Sequence, residues 1–228
     1  ISHLKELLKL YDINLSNTLV FDITPLQALV NLHFLNIENT QVSDISSLVS
    51  LEKLNEINFS NTPVTNIKVL SNLPHLTKIY CDNSLVSTEM ANEYKMENPN
   101  VLVINESEAL LAWWNELPSF WKTILKDQAN TSINPTKEEL HSIINIRNLK
   151  VGHYMQDVAP ISRLTNLEYL DLSDSKIDDI SPLYGLHNLK SLNISNTKVA
   201  DITPLASNRN LRERNIENTM VKSLEALY

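Results

Sequence analysis

Leucine and isoleucine recur along this chain in a spacing that repeats every 22 residues. The segment LHNLKSLNISNTKVADITPLAS begins at Leu186, and segments of nearly the same spacing begin at Leu164, Leu29 and Leu51. Each contains a short alternation of apolar and polar residues, such as FLNIE or YLDLS, which is the two-residue period of a strand with one buried face. The pattern therefore predicts one short strand in every copy.

A turn and a short helical segment are expected after each strand. The dipeptides NT, DS or NS follow the alternation and are turn signals. The motif DITPL or DISPL comes next. In ITPL the Thr can cap a short helical turn, and Pro suits the first position of that turn because no backbone N–H is needed there.

A unit of this kind cannot bury its leucines alone. Copies stacked on one another form a parallel sheet, and their Ile and Leu rows form a continuous core. Here the chain resembles the leucine-rich repeat family, and its 22-residue copies with DIxPL are similar to those of the bacterial internalins. The resemblance covers roughly residues 7–86 and 143–228. It implies an α/β solenoid, a right-handed coil with a parallel sheet on the concave side and short 3-10 turns on the convex side.

The chain departs from the family pattern at one position after each strand. Where the usual repeat has Asn, this chain has hydroxyl residues: Thr18, Thr40, Thr62, Ser84, Ser175, Thr197 and Thr219. A hydroxyl has one donor where the Asn amide has two. We expect each hydroxyl to bond to the backbone of the neighbouring coil.

The 22-residue step fails after Ser84. The following sequence predicts a helix near residues 88–97 and a last strand at 101–104, as in an irregular repeat that closes an array. Three short helices are expected next. Asn105 with Glu108, and Thr136 with Glu139, have the spacing of a capping box, and Pro118 can open the second of these helices.

These patterns predict three segments. Residues 1–105 form leucine-rich repeat array one with its irregular closing repeat, residues 106–142 form a helical insert that caps array two, and residues 143–228 form array two. The insert could break the sheet into two domains, or it could pack beside the sheet and let residues 101–104 adjoin Leu149 and Val151. We favour two arrays coupled rigidly through the insert, because its apolar residues need cover from both. Array two stops in the middle of its phase at Tyr228, so we expect it to be truncated and the chain to be a fragment of a longer protein.

Composition narrows the function classes. The net charge of −8 argues against nucleic-acid binding, which needs a dense Lys/Arg face. The single cysteine excludes a disulfide framework and a Cys-based zinc site. The two glycines lie too far apart for a nucleophile elbow or a phosphate loop, so we expect no cofactor. No apolar run is long enough to predict a membrane span. The family resemblance favours a secreted or cell-surface protein and leaves the cytoplasm open.

Several conspicuous side chains have structural explanations. The histidines show no metal-ligand spacing, so we interpret them as loop or surface residues. Cys81 replaces an inward Leu or Ile and is expected to be a small buried hydrophobe. Trp113, Trp114 and Trp121 either fill the core of the helical insert, which we favour, or form a binding platform.

The outward side of the sheet is the remaining candidate surface. Its central column is nearly all Asn, which is explained either by amides bonded along the column or by a recognition surface with Phe34, Tyr80 and Tyr169 as aromatic anchors. The candidate partner-binding residues are Phe34, Asn36, Glu38, Glu56, Asn58, Lys78, Tyr80, Tyr169, Asp171, Asn193, Glu213 and Asn215.

The sequence favours a non-catalytic protein-protein interaction module. Its partner would be a protein or peptide of polar or basic character, bound on the concave sheet face with an affinity that depends on salt. The alternative is a structural spacer or scaffold segment of a larger multidomain protein. No convergent acid, base or metal set supports an enzyme.

Overall fold

The computed structural model describes residues 2–225. The chain divides into two compact units, Ile1–Leu110 and Leu111–Tyr228, which we call unit one and unit two. The last three residues of the predicted array two, 226–228, lie outside the described residues. The predicted segment boundaries at 105/106 and 142/143 stay predictions.

The strands of unit one form a parallel sheet in chain order. They are β1 (Asp12–Asn14), β2 (Phe34–Asn36), β3 (Glu56–Asn58), β4 (Lys78–Tyr80) and β5 (Leu102–Ile104). Short 3-10 helical turns lie at Ser2–Glu6, Thr24–Ala28, Ser46–Ser50 and Lys68–Asn72, and helix α1 (Thr88–Glu97) precedes β5. The strands and the helix lie where the repeat pattern predicts them.

Helices open unit two, and a second parallel sheet follows. The helices are α2 (Ser107–Glu116), which contains the division between the units, α3 (Ser119–Ala129) and α4 (Lys137–Ile144). The sheet consists of β6 (Asn148–Lys150), β7 (Tyr169–Asp171), β8 (Ser191–Asn193) and β9 (Glu213–Asn215) in chain order. Its 3-10 turns are Ala159–Arg163, Ser181–Leu183 and Thr203–Ser207.

The core of each sheet is built from the middle residue of each strand. Leu35 and Ile57 face each other across β2 and β3, and Leu170 and Leu192 do so across β7 and β8. All four side chains are buried, as predicted. The repeat step places equivalent apolar side chains in one row, so each coil covers the apolar side of the next.

The last described copy breaks this row. Its strand β9 carries Arg214 at the position paired with Leu192, and the Arg214 side chain is exposed. Asn208 stands 22 residues after Leu186 and is buried. Its amide donates to the backbone oxygens of Leu186 at 2.8 Å and Leu183 at 3.3 Å, so a polar residue occupies a leucine place with hydrogen-bond partners.

The hydroxyl residues after the strands bond within their own coil, so the prediction of bonds to the neighbouring coil is wrong. Thr40 Oγ1 donates to the Ile37 oxygen three residues earlier at 2.7 Å, and Ser175 Oγ donates to the Leu172 oxygen at 2.6 Å. The same bond is made by Thr18, Thr62, Ser84, Thr197 and Thr219. A hydroxyl is long enough for this local bond, which closes the turn after each strand.

An asparagine or aspartate with positive φ stands immediately before each of these hydroxyl residues. Examples are Asn39 at φ 57° and Asp174 at φ 56°. Such residues adopt the left-handed region more readily than other non-glycine residues. Their side chains also bond between coils, with Asn39 Nδ2 donating to Asn17 Oδ1 at 2.8 Å and Asn196 Nδ2 donating to Asp174 Oδ1 at 2.8 Å. The side-chain ladder between coils therefore lies in this turn.

In both copies of the DITPL motif the aspartate caps the 3-10 turn, so the prediction that Thr caps it is wrong. Asp22 Oδ1 accepts the Thr24 N–H at 2.8 Å, and Asp201 Oδ1 accepts the Thr203 N–H at 2.8 Å. The Thr is itself the first helical residue and Pro is the second. A carboxylate two residues upstream reaches the free N–H more easily than a hydroxyl in the turn itself.

Helices α3 and α4 begin as the sequence indicates, whereas the predicted cap Asn105 does not directly precede α2, which begins at Ser107 after Glu106 with a φ of 56°. Pro118 directly precedes α3, and Thr136 caps α4. Thr136 Oγ1 accepts the Glu139 N–H at 3.2 Å, while Glu139 Oε2 accepts the Thr136 N–H at 2.8 Å. This is the reciprocal pair of a capping box.

Candidate partner-binding sheet faces

The residues on either side of each buried strand residue point away from the core. We define sheet face one as the outward residues of β1–β4 together with the residue that lies two positions after the end of each strand. Sheet face two is the corresponding surface of β6–β9. Sheet face one holds the predicted Phe34, Asn36, Glu38, Glu56, Asn58, Lys78 and Tyr80, whereas sheet face two holds Tyr169, Asp171, Asn193, Glu213 and Asn215.

The first column of sheet face one places an aromatic ring between two carboxylates. Phe34 is in register with Asp12 on one side and Glu56 on the other. Glu56 pairs with Lys78 on the next strand, with 3.6 Å between Oε2 and Nζ. This column therefore presents acidic, aromatic and basic groups in adjacent strands.

Aromatic stacking extends this column at the edge of the sheet. The ring of Tyr11 lies 4.2 Å from that of His33, nearly parallel at 21°, and 5.5 Å from that of Phe34. Tyr11 is 53% exposed. Neither Tyr11 nor His33 is among the predicted site residues. The signal was available, because both precede a strand by one residue in neighbouring copies.

The far end of sheet face one is closed. Ile104 of β5 is in register with Tyr80 and fully buried, and Tyr80 is half-buried. Asp82 is also buried, and its Oδ1 accepts the Ser107 N–H at 2.9 Å. The Asp82 carboxylate thus has a structural role, and the open part of the surface lies over β1–β4.

The asparagines of the central column bond to their own turns. The backbone N–H two residues later donates to Oδ1 of Asn36 at 2.9 Å, of Asn58 at 2.9 Å and of Asn193 at 3.1 Å. The second bond of Asn58 goes to Glu38 Oε2, which accepts from Nδ2 at 3.1 Å. These bonds give the column a local turn-stabilising role and leave part of each amide facing outward.

Sheet face two contains a cavity of about 420 Å³. Its lining comprises Gln128 of α3 and the strand residues Asn148, Leu149, Lys150, Tyr169, Leu170, Asp171, Ser191 and Asn193. Tyr169 is 48% exposed. The fold therefore gathers three predicted site residues, Tyr169, Asp171 and Asn193, around one depression, whereas Glu213 and Asn215 are exposed on β9 outside its lining.

Asp171 is held as a carboxylate in this cavity. Partial burial raises its pKa, but hydrogen bonds from the Ser173 hydroxyl, the Ser173 N–H and Lys150 outweigh that effect and bring the pKa below the ordinary value of 3.8. The Asp171 Oδ2 lies 3.0 Å from Lys150 Nζ. The cavity thus contains the ion pair of Asp171 and Lys150 beside the exposed ring of Tyr169.

Ion pairs flank sheet face two in the residues just before the strands. Glu168 Oε2 lies 2.6 Å from Lys190 Nζ, and Glu168 Oε1 lies 3.4 Å from Arg147 Nη1. The hydrogen bond from Lys190 is the main cause of a lowered pKa for Glu168. The equivalent positions of unit one carry the Tyr11 and His33 stack instead.

The other conspicuous side chains have structural roles. Trp114 and Trp121 are buried and donate their indole N–H groups to the backbone oxygens of Ile133 at 3.3 Å and Asp157 at 3.1 Å, while Trp113 is half-buried. Cys81 is buried, and desolvation raises the pKa of its thiol to about 12. The prediction that the histidines lie in loops or on the surface is wrong for His141, which is fully buried in α4 with Nδ1 2.8 Å from the Lys137 oxygen.

Residues 2–225 contain no group of three or more His, Cys, Asp or Glu side chains placed to hold a metal ion. Within the same range, no helix combines the length and apolar character needed to cross a membrane.

The chain is similar to known proteins in its repeats and its fold. Residues 165–207 match the family model described as Leucine Rich repeats (2 copies). No curated protein sequence matches at a significant level.

Three solved structures illustrate the likeness. An internalin (inlF) from Listeria monocytogenes is 22% identical, with a TM-score of 0.37, and the alignment covers 98% of this chain and 52% of that one. An internalin C2 (inlC2) from the same species is 19% identical, with a TM-score of 0.34, 98% of this chain covered and 69% of that one. A leucine-rich repeat protein from Leptospira interrogans is 16% identical, with a TM-score of 0.41 and coverage of 98% and 53%.

This chain spans about half the length of the inlF and Leptospira structures. The likeness rests on the repeats themselves, whose strands stack in parallel at 22-residue steps, and on the match at residues 165–207. The chain has the fold of a leucine-rich repeat solenoid, and its 22-residue repeats are similar to those of the bacterial internalins.

Proposed function

We propose that this chain is a non-catalytic module that binds a partner protein or peptide on its outward sheet faces. Leucine-rich repeat proteins commonly act in protein interaction and are typically not enzymes. The finer proposal is that sheet face one and sheet face two supply the contacts, with sheet face two holding the central site.

The cavity around Tyr169 carries this proposal. Binding surfaces concentrate their energy in a few aromatic anchors that are surrounded by polar groups. Tyr169 is the exposed aromatic residue of this cavity, and Lys150, Asp171 and Asn193 surround it with charged and amide groups. A peptide segment laid across β6–β8 would cover the ring and meet these polar groups.

A selection experiment tests the proposal. Immobilised full chain would be used to select ligands from a random peptide display library, and the affinities of selected peptides would be measured for wild type and for Tyr169→Ala. The matched control is Tyr184→Ala, because Tyr184 is also an exposed tyrosine of unit two but follows a 3-10 turn. We expect Tyr169→Ala to weaken binding about tenfold or more, as for an interface anchor, and Tyr184→Ala to leave it unchanged.

Two outcomes would overturn the proposal. If no peptide is enriched, the spacer or scaffold alternative is favoured. If the selected peptides bind equally well to wild type and Tyr169→Ala, the cavity of sheet face two is not the site.

A further inference from the structure

We propose that sheet face one binds an arginine side chain of the partner between Asp12, Phe34 and Glu56. This inference rests on the proposed function, since it names the chemistry that sheet face one would recognise. The guanidinium group would lie over the Phe34 ring, with a carboxylate on each side.

The strand register brings these three groups together. Asp12 pairs with Phe34 across β1 and β2, and Phe34 pairs with Glu56 across β2 and β3. Neighbouring strands lie about 4.8 Å apart, so both carboxylates stand one strand away from the ring. A cation is attracted to an aromatic face when it lies within about 6 Å of the ring centre, and at that place both carboxylates are within reach.

The aromatic surface is larger than Phe34 alone. Tyr11 lies 5.5 Å from Phe34 and stacks on His33 at 4.2 Å. The His33 ring is fixed in turn by its Nδ1, which lies 2.8 Å from the Asn31 oxygen. The half-buried Phe34 therefore lies in an ordered aromatic cluster at the open edge of the sheet, with Tyr11 more than half exposed.

The charge of this region favours a cation. Residues 1–110 contain 6 Lys and Arg against 13 Asp and Glu. The Glu56 side chain is 31% exposed, so its carboxylate is accessible to a cation beside the ring although Oε2 lies 3.6 Å from Lys78 Nζ. Asp12 is exposed and forms no ion pair with any residue in the described part of the chain.

Arginine fits this arrangement better than lysine. The guanidinium group is planar, stacks on aromatic faces and is more weakly hydrated than an ammonium group. It also carries donors along several edges, so one group can bond to carboxylates on two sides. A lysine ammonium is a compact charge that gains less from a flat aromatic surface.

An NMR titration of the full chain tests this inference. The probes are the synthetic peptide Gly-Ser-Gly-Arg-Gly-Ser-Gly and two analogues, with citrulline or lysine in place of Arg. The readout is the shift of the backbone amide signals of Asp12, Phe34 and Glu56. Because citrulline keeps the planar shape and loses the charge, we expect the arginine peptide to bind about tenfold more tightly than the citrulline peptide.

Variants locate the site. Asp12→Asn and Phe34→Ala should each weaken binding of the arginine peptide about threefold or more, in line with the loss of one exposed charge or ring contact. The control Asp178→Asn, which removes an exposed carboxylate from unit two, should leave binding unchanged. The dispersion of the remaining amide signals would confirm that each variant is folded.

Three outcomes would overturn the inference: no saturable shift at these amides, equal binding of the arginine and citrulline peptides, or insensitivity to both Asp12→Asn and Phe34→Ala. Equal binding of the lysine peptide would overturn the assignment to a guanidinium group. Failure here leaves peptides that depend on Tyr169 unaffected, so it is distinguishable from failure of the proposed function.

Discussion

The two units share one skeleton and differ in the side chains that flank it. In both, buried aliphatic residues fill the middle of the strands, with the exception of Arg214 in β9, and a left-handed Asn or Asp is found in the turns after the strands. In the residue just before the strand, unit one has the stacked Tyr11 and His33, whereas unit two has the ion pair of Glu168 and Lys190. The buried residues and the turns stabilise each coil. The residue just before each strand is not needed for this and can therefore differ between the units.

The two units also differ in net charge. Residues 1–110 contain 6 basic and 13 acidic side chains, whereas residues 111–228 contain 13 and 14. The acidity of the whole chain therefore belongs almost entirely to unit one. If the proposed function holds, we expect the two sheet faces to suit different partner groups, because electrostatic complementarity contributes to the choice of partner.

The largest expected effect comes from breaking the shared skeleton. Leu48 and Leu183 occupy equivalent 3-10 turns of the two units and are fully buried. Each change to Ala should lower the free energy of unfolding by about 2–5 kcal/mol, because it removes apolar contacts and leaves a cavity. Urea denaturation followed by circular dichroism measures this loss.

The control for this prediction is Val49→Ala, since Val49 adjoins Leu48 but is 53% exposed. Its effect should stay within about 0.5 kcal/mol. A loss in one unit much smaller than in the other would show that the skeleton is not equivalent in the two units.

The next effect comes from the left-handed turn residues. Asn39 has a φ of 57° and Asn196 a φ of 56°. Replacement of either by Ala should cost about 1–2 kcal/mol, because alanine is strained in this region. The glycine variants separate two causes, since Gly relieves the strain but lacks the side-chain bond to the preceding coil.

That remaining bond sharpens the comparison between the units. Asn39 donates to the neutral Asn17 amide, whereas Asn196 donates to the Asp174 carboxylate. Bonds to charged acceptors are the stronger class, and Asn196 Oδ1 also accepts from Asn218 Nδ2 at 2.8 Å. For both reasons Asn196→Gly should lower the thermal unfolding midpoint more than Asn39→Gly. Equal midpoints for Asn39→Ala and Asn39→Gly would contradict the role of backbone strain.

Spacing made most of the architecture predictable. A 22-residue step with strand alternation can bury its leucines only by stacking, so the positions of β2, β3, β7 and β8 followed from the sequence. Helix α1 and strand β5 were also predictable, because the failure of the step after Ser84 requires a closing element.

The roles of individual polar atoms were harder to predict. The capping aspartate and the threonine of the same motif, such as Asp22 and Thr24, offer similar side-chain acceptors, and only the backbone geometry decides between them. The burial of Asp82 depends on Ser107, which lies beyond the point where the repeat phase is lost. Within the candidate site, the Tyr11 and His33 stack was missed because both residues lie just outside the strands.

A smaller effect distinguishes the residues that lie just before the strands in the two units. Glu168→Gln should lower the free energy of unfolding by about 0.5–1 kcal/mol at low salt, because it weakens the bonds to Lys190 and Arg147. The loss should shrink in 1 M NaCl, where screening acts over about 3 Å. In unit one, Tyr11→Leu removes the stacking of Tyr11 on His33 and should lower the free energy of unfolding by a similar amount. This effect should not depend on salt. The opposite salt dependence would contradict the comparison.

The smallest effect concerns the carboxylates that cap the 3-10 turns. The pKa of Asp22 is lowered chiefly by its side-chain hydrogen bond with Thr24, and the pKa values of Asp44 and Asp201 chiefly by the N–H groups of Ser46 and Thr203. Because each folded-state pKa lies below the ordinary 3.8, the stabilisation is present above that value and is lost as the pH falls through the folded-state pKa.

Unit one contains a natural neutral version of this cap. Asn66 Oδ1 accepts the Lys68 N–H at 2.9 Å in the equivalent turn, so an amide can hold the geometry without a charge. Changing Asp22, Asp44 and Asp201 to Asn together should therefore keep the fold and flatten the fall in unfolding midpoint between about pH 5 and pH 3. The control Asp178→Asn removes an exposed carboxylate that does not cap a turn and should keep the wild-type slope. An unchanged slope in the triple variant would show that the lowered pKa values do not contribute to acid sensitivity, and the caps of the two units would then be equivalent whether charged or neutral.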